Sequence, residues 1–81
     1  MEESFEDVKY LLGNMGIDIL IAIDKGAKDF ETIKILSGVP VICIKGRIPV
    51  LLDLNLVKEN ANGYTLTQKG FDFKKKIEKY S

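Results

Sequence analysis

Apolar side chains recur at helical spacing on both sides of a short turn in the middle of the chain. Asp29 is suited to cap a helix N-terminus, because its carboxylate can accept hydrogen bonds from amides of the following turn. Gly38 is suited to the left-handed conformation that ends a helix, and the residue before Pro40 favours extended geometry. The pattern therefore predicts a helix over about 30–37, a tight turn and a second helix that begins near Pro40. The apolar positions of the pair are Phe30, Ile33 and Leu36, then Ile44, Ile48 and Leu51, with Val41, Leu52 and Asn55 at the edge of the second stripe.

The second of these helices contains two residues that disfavour helical structure, Gly46 and Pro49. Proline in a helix interior costs about 3 kcal/mol, and glycine adds up to about 1 kcal/mol. With Ile44 at the centre of the buried stripe, Pro49 lies towards solvent, where water can hydrate the carbonyl freed at Lys45 and the helix can bend. We therefore predict a kinked helix that ends near Asn55. The alternative is a β-strand over 39–45, a run rich in Val and Ile, followed by a short helix that the proline opens.

The first third of the chain predicts two helical segments. Ser4 and Asp7 have the spacing of a capping box at a helix start. Gly13 and Gly16 predict a break or bend, after which residues 17–25 are apolar on most sides and favour a buried helix. The helical positions before the break are Phe5, Val8, Leu11, Leu12 and Met15.

The last third predicts a hairpin and a final helix. Asn62-Gly63 between two apolar segments is typical of a hairpin turn, because both residues tolerate the positive φ of tight turns. Thr67 is suited to cap the helix that follows. On that helix one face is apolar, and the remaining positions predict a solvated surface of lysines. The apolar face consists of Phe73, Ile77 and Tyr80, and the lysines are Lys74, Lys75, Lys76 and Lys79. The whole pattern predicts a single, mostly α-helical domain over 1–81 with a small β-hairpin, of the α+β class.

Charge is balanced over the chain but not along it. Twelve basic and twelve acidic residues give a net charge of zero, which argues against strong, indiscriminate attraction to nucleic acid. Residues 1–24 carry six acids and one lysine, 25–58 carry six bases and three acids, and 59–81 carry five bases and three acids. The basic excess therefore begins where the central helix pair begins.

The residue types that support most catalysis are missing from the sequence. The chain has no histidine, no glycine-rich phosphate loop and no Cys/His/carboxylate cluster at ligand spacing, so we expect no enzyme activity, no metal and no cofactor. One cysteine, Cys43, cannot form an internal disulfide and indicates a reducing compartment. The N-terminus is acidic, and the longest apolar run, 19–23, is too short to cross a bilayer. We expect a soluble cytoplasmic protein without a membrane partner.

Two strings carry a resemblance to a known family. SGVP followed by a helix ending in LNLVK is similar to the turn, recognition helix and wing entry of winged helix-turn-helix DNA-binding domains. GYTLTQKGFDF resembles their return strand and the start of their C-terminal helix. The likeness covers about residues 15–81 and is closest to short regulators common in archaea, which often dimerise through terminal helices. It implies a three-helix core with the helix-turn-helix at about 29–55, a wing at about 56–67 and a C-terminal helix at about 68–80.

The resemblance implies a transcriptional regulator that binds double-stranded DNA as a homodimer, with residues 40–53 in the major groove. The exposed start of that helix is apolar, however, and apolar side chains reach a thymine methyl but cannot donate hydrogen bonds to base edges. Lys45 and Arg47 carry the donors. Each of these charges also fits an ordinary solvated surface. The predicted DNA contacts are Lys28, Lys34, Val41, Ile42, Lys45, Arg47, Lys58, Asn60 and Asn62.

Two further partners follow from apolar side chains. Exposed Ile42, Cys43 and Val50 would form an apolar patch, so the alternative function is a winged-helix protein–protein interaction module. A domain of this size has a small core, and association with a second copy would stabilise it. The predicted dimer contacts are the aromatic and apolar residues of the two terminal helices, Phe5, Tyr10, Phe73, Ile77 and Tyr80.

Overall fold

The computed structural model describes residues 4–80. Within that range the chain forms four helices and one antiparallel hairpin, which confirms the predicted α+β class and element order. The elements are α1 (Phe5–Asp24), α2 (Phe30–Ser37), α3 (Val41–Asp53), β1 (Val57–Asn60), β2 (Gly63–Leu66) and α4 (Gln68–Tyr80).

Helix α1 begins and bends where its sequence predicts. The Ser4 hydroxyl accepts a hydrogen bond from the Asp7 amide at 3.1 Å. Gly13 has φ 66° and ψ −179°, which interrupts the helical backbone and confirms the bend. Gly16 remains helical and buried, where a Cβ would lie 3.0 Å from the Leu12 Cβ. The bend therefore belongs to Gly13, and Gly16 serves close packing.

Helices α2 and α3 meet at an angle of 103° across a three-residue connection. Asp29 accepts from the Thr32 amide at 2.8 Å, and Gly38 ends α2 with φ 74°. Helix α3 continues through exposed Pro49. The helix interpretation of this segment is confirmed, and the alternative strand over 39–45 is wrong. The buried side chains of α3 are the three predicted ones, Ile44, Ile48 and Leu51.

The helix ends slightly earlier than predicted. Its last residue is Asp53, Leu54 is the C-cap, and Asn55 adopts a left-handed conformation with φ 64°. Asparagine tolerates this region better than most residues because its short polar side chain can bond locally. A second correction concerns α2, where Leu36, predicted to lie in the apolar stripe, is exposed.

The hairpin turn lies one residue earlier than the Asn-Gly pair suggests. Asn60 pairs with Gly63, so Ala61 and Asn62 are the central residues, and only Gly63 has a positive φ, 119°. A Cβ on Gly63 would overlap the Lys28 carbonyl oxygen. Next to it, the Tyr64 amide donates to that same oxygen at 3.2 Å. Glycine is therefore required here because the hairpin packs directly against the segment that precedes α2.

Helix α4 closes the core over the other end of the hairpin. The Thr67 hydroxyl accepts from the Gly70 amide at 3.0 Å and donates to the Asn55 carbonyl at 2.6 Å. Phe73 and Ile77 are buried. Lys74, predicted to be solvated, is instead half-buried, with Nζ 2.9 Å from the Asp24 carboxylate at the end of α1. Within residues 4–80 no single helix is long and apolar enough to cross a membrane.

Candidate functional site

Helix α3 carries four of the predicted contact residues, three of them exposed. With Ile44 and Ile48 turned inward, Ile42 on the opposite side is 79% exposed, and Lys45 and Arg47 are exposed as well. Val41 is only half-buried at the edge of the core. This surface combines two flexible cations with a large apolar side chain.

The start of α3 favours negative charge. No side chain caps its first amides, and its first turn contains no acidic residue. Unpaired amides and the positive end of the helix dipole both attract anions. By contrast, Asp29 occupies the N-cap of α2, where its hydrogen bond with Thr32 lowers the pKa of its carboxyl. Of these two helix starts, that of α3 is the one suited to an external anion.

An aromatic pair connects α3 to the hairpin. Lys45 Nζ lies 5.8 Å from the centroid of the Phe30 ring. The Phe30 ring in turn stacks on Tyr64, with centroids 6.2 Å apart and an interplanar angle of 22°. Burial raises the pKa of Tyr64, as do the charge and the hydrogen bond of Glu59 opposite it. The phenol is therefore neutral at physiological pH.

Lys28 and Lys45 each lie beside this aromatic pair, and the acidic Asp29 and Glu59 line the same cleft as Lys28. Lys28 lines a shallow cleft with the Phe30 and Tyr64 rings, and Lys45 lies over the Phe30 ring. Tyr64 was not among the predicted contact residues. The available signal was the position of the two aromatics, one directly after the α2 cap and one directly after the turn glycine.

The remaining predicted contacts are more dispersed. Lys34 is exposed on α2 and Lys58 on β1. Alternate residues of a strand face opposite sides, so Lys58 lies on the hairpin face away from Tyr64. No hydrogen bond or ion pair joins the side chain of Lys34, Arg47 or Lys58 to another of residues 4–80. Asn60 mainly shapes the turn, since its side chain accepts from the Asn62 amide at 2.9 Å, which leaves Asn62 exposed at the tip.

Exposed apolar side chains flank the connection between α2 and α3. Ile35 is 76% exposed, and Leu36 and Ile42 are also exposed. Cys43 and Val50 were expected to be exposed on this surface. They are instead half-buried and pack against the core. The apolar patch is therefore centred on the helix connection rather than along α3.

The predicted dimer residues divide into two groups. The centroid of the Phe5 ring lies 5.2 Å from that of Phe73 and 6.3 Å from that of Tyr80. Phe73 and Ile77 are buried within the chain. These side chains stabilise the monomer. Tyr10, at 82% exposure, and Tyr80, at 68%, remain available to a second copy. Helix α1 also exposes Leu11 and Met15, which the helical pattern had assigned to its apolar side.

No family model matches this sequence, and comparison with curated proteins gave no significant match. We therefore infer function from the surfaces of the chain itself.

Proposed function

We propose that this protein is a DNA-binding transcription regulator of the winged helix-turn-helix type. The observation that supports it is the 103° arrangement of α2 and α3 across a short glycine-containing turn, with Lys45 and Arg47 exposed on either flank of α3. Paired helices at about 90–120° joined by a three- to four-residue turn are characteristic of this motif. Helix α3 is then the recognition helix and β1–β2 a short wing.

The proposed contacts follow from the chemistry of each side chain. Arg47 has a planar fork of donors that fits a guanine edge or a phosphate, and Lys45 supplies a point charge to a phosphate. Ile42 can contact a thymine methyl. The uncapped start of α3 suits a phosphate because its amides point outward. The Phe30–Tyr64 stack keeps the wing at a fixed position relative to α3, with Lys28, Lys34 and Lys58 as backbone contacts.

The salt dependence of binding should be shallow for a DNA-binding protein. The chain has no net charge, and only a few cations surround α3. The slope of log affinity against log salt is about 0.9 per phosphate neutralised. We therefore expect a slope that corresponds to few contacts.

The test is fluorescence anisotropy with a labelled mixed-sequence DNA duplex at low salt. The double variant Lys45→Ala/Arg47→Ala should bind about tenfold or more weakly, since a direct base or phosphate contact contributes about 1–3 kcal/mol. The matched control is Lys75→Ala/Lys76→Ala, which removes the same charge from exposed positions of α4 and should change affinity little. Equal losses in both variants would contradict a specific role for α3. Circular dichroism should show that both remain folded.

A second function is favoured by the apolar patch of Ile35, Leu36 and Ile42, because large exposed apolar patches mark protein interaction sites. In this case the domain would use the helix connection to bind another protein. Absence of any duplex binding by the wild type at low salt would favour this alternative. If the domain binds a protein, Ile42→Asp should abolish binding of that partner. If it binds DNA, Ile42→Asp should weaken duplex binding only modestly.

We also propose that the protein acts as a homodimer. Two exposed tyrosines of the terminal helices, Tyr10 and Tyr80, support this, because large exposed aromatics are enriched at interfaces. Light scattering at micromolar concentration should give about twice the chain mass of 9.1 kDa, and Tyr10→Lys should return the monomer mass. A mass near 9.1 kDa for the wild type would refute the dimer.

A further inference from the structure

A cleft between the first turns of α1 and one face of α4 has both apolar and charged walls. Its volume is about 340 Å³, which lies in the range of small-molecule sites. Its apolar lining consists of Phe5, Val8, Phe73 and Leu56, with the Phe5 and Phe73 rings in contact at a centroid distance of 5.2 Å. The charged positions are all on α4, namely Lys69, Asp72 and Lys76.

Two of the three charged side chains already have partners. Lys69 Nζ donates to the Leu54 carbonyl at 2.8 Å. The Asp72 carboxylate accepts from the Gln68 amide at 3.0 Å. Within residues 4–80, no hydrogen bond or ion pair engages the Lys76 side chain. The cleft therefore combines an apolar interior with one cation that can meet a ligand.

We propose that this cleft binds a small apolar monocarboxylate. The hydrocarbon part would lie against Phe5, the only partly exposed one of the four apolar lining residues, and the carboxylate would pair with Lys76. A ligand with one negative charge fits better than one with two, because Asp72 lines the same cleft and repels further negative charge. A cationic head group is disfavoured by the two lysines.

The position of the cleft suggests what the ligand would regulate. The Leu56 carbonyl accepts a hydrogen bond from the Thr67 amide at 3.0 Å. Lys69 Nζ donates to the carbonyl of Leu54, the C-cap of α3. A bound ligand would therefore contact α1, α4 and the segment that leads from α3 into the hairpin. An effect on DNA affinity rests on the proposed function, whereas ligand binding itself does not depend on it.

The binding test uses three probes with the same chain and different head groups: octanoate, 1-octanol and octylammonium. Titration of the full-length ¹⁵N-labelled protein, without DNA, should give saturable amide shifts with octanoate at the residues that line the cleft. Octanol should bind more weakly and octylammonium more weakly still. Equal affinity for octanoate and octylammonium, no saturable shift, or shifts centred on the exposed Tyr10 and Met15 would each overturn the proposal.

Variants at Lys76 test the ion pair. Lys76→Gln should weaken octanoate binding about two- to fivefold, as expected for an exposed pair, while Lys75→Gln, the adjacent exposed lysine outside the cleft, should leave it unchanged. Lys76→Glu should reverse the order of octanoate and octylammonium. An unchanged order in Lys76→Glu would refute the assigned carboxylate partner. Duplex affinity measured with and without octanoate tests separately whether the ligand regulates DNA binding. Octanoate binding without any duplex binding would leave the ligand site standing and refute the DNA-binding function.

Discussion

Helices α3 and α4 have the same length, 13 residues each, but they use their cations in opposite ways. Helix α4 has five lysines, of which Lys69 and Lys74 contact other elements of the fold, while Lys75 and Lys79 lie over rings of α4 itself. Helix α3 has only Lys45 and Arg47, and Arg47 extends from the surface without a partner among residues 4–80. The helix with fewer cations is therefore the better candidate for binding an external anion.

The contacts of α4 show why its lysine run is largely structural. Lys74 Nζ lies 2.9 Å from a carboxylate oxygen of Asp24 and 3.3 Å from one of Glu78. Lys75 Nζ is 5.4 Å from the centroid of Phe71, and Lys69 donates to a main-chain carbonyl. The number of lysines in a segment does not by itself indicate binding; their intrachain contacts must be known.

The largest effect should come from Gly70 of α4. A Cβ on Gly70 would overlap the Leu56 carbonyl oxygen, so Gly70→Ala must move α4 away from the hairpin root. We expect a loss of about 3 kcal/mol in the free energy of unfolding, the upper part of the usual range for overpacking. Urea denaturation followed by circular dichroism measures it.

The matched control is the exposed glycine of α3. Nothing lies within 4 Å of a Cβ built on Gly46, so Gly46→Ala should stabilise the protein by about 0.5–1 kcal/mol through helix propensity alone. Similar effects of both substitutions would show that α4 does not pack as closely on Leu56 as described.

The next effect concerns the threonine that anchors the start of α4. Thr67→Val removes the cap on the Gly70 amide and the hydrogen bond to the Asn55 carbonyl. Loss of an N-cap typically costs about 0.5–2 kcal/mol, and we expect the upper half of that range because two hydrogen bonds are lost. Thermal unfolding and urea denaturation should agree on the sign.

Thr65→Val provides the control with identical chemistry. The Thr65 hydroxyl is buried and has no hydrogen-bond partner within residues 4–80. Leaving a buried hydroxyl unpaired costs about 1–3 kcal/mol, so this substitution should stabilise the hairpin rather than weaken it. Destabilisation by both threonine changes would contradict the different roles assigned to them.

Sequence patterns that act within one helical turn predicted most of the fold but less of the candidate site. Caps and glycine stops act within one helical turn, which is why Asp29, Gly38 and Thr67 were identified correctly. Contacts between distant segments leave no such local trace. The approach of Gly63 to Lys28, the Lys74–Asp24 pair and the Phe30–Tyr64 stack all join residues far apart in sequence.

The same reason explains the apolar positions that were misplaced. Helical periodicity identified the buried centre of α3 but could not show that Leu11 and Leu36 face outward, since this depends on where the neighbouring helices lie. Periodicity likewise gave no sign that Phe5 packs on Phe73. Exposure of a predicted contact residue is therefore a property of the assembled fold.

The smallest expected effect tests whether Lys74 is structural. Its hydrogen bond to Asp24 is the main cause that raises the pKa of Lys74 above its ordinary value of 10.5. A lysine with a raised folded-state pKa contributes its full stability below pH 10.5 and loses it as the pH rises through the folded-state pKa. Lys74→Gln should therefore destabilise the protein at neutral pH, by less than Gly46→Ala stabilises it, because the pair is near the surface and screened by salt.

The pH dependence distinguishes this ion pair from simple packing by the lysine stem. The stability difference between wild type and Lys74→Gln should be constant through neutral pH and shrink above pH 10.5. Tyr64 also has a raised pKa, but it is present in both proteins, so its titration cancels from the difference. Lys76→Gln, which removes a lysine without an intrachain partner among residues 4–80, should show no comparable loss. A difference for Lys74→Gln that persists undiminished at high pH would indicate that the stem, rather than the charge, holds α4 to α1.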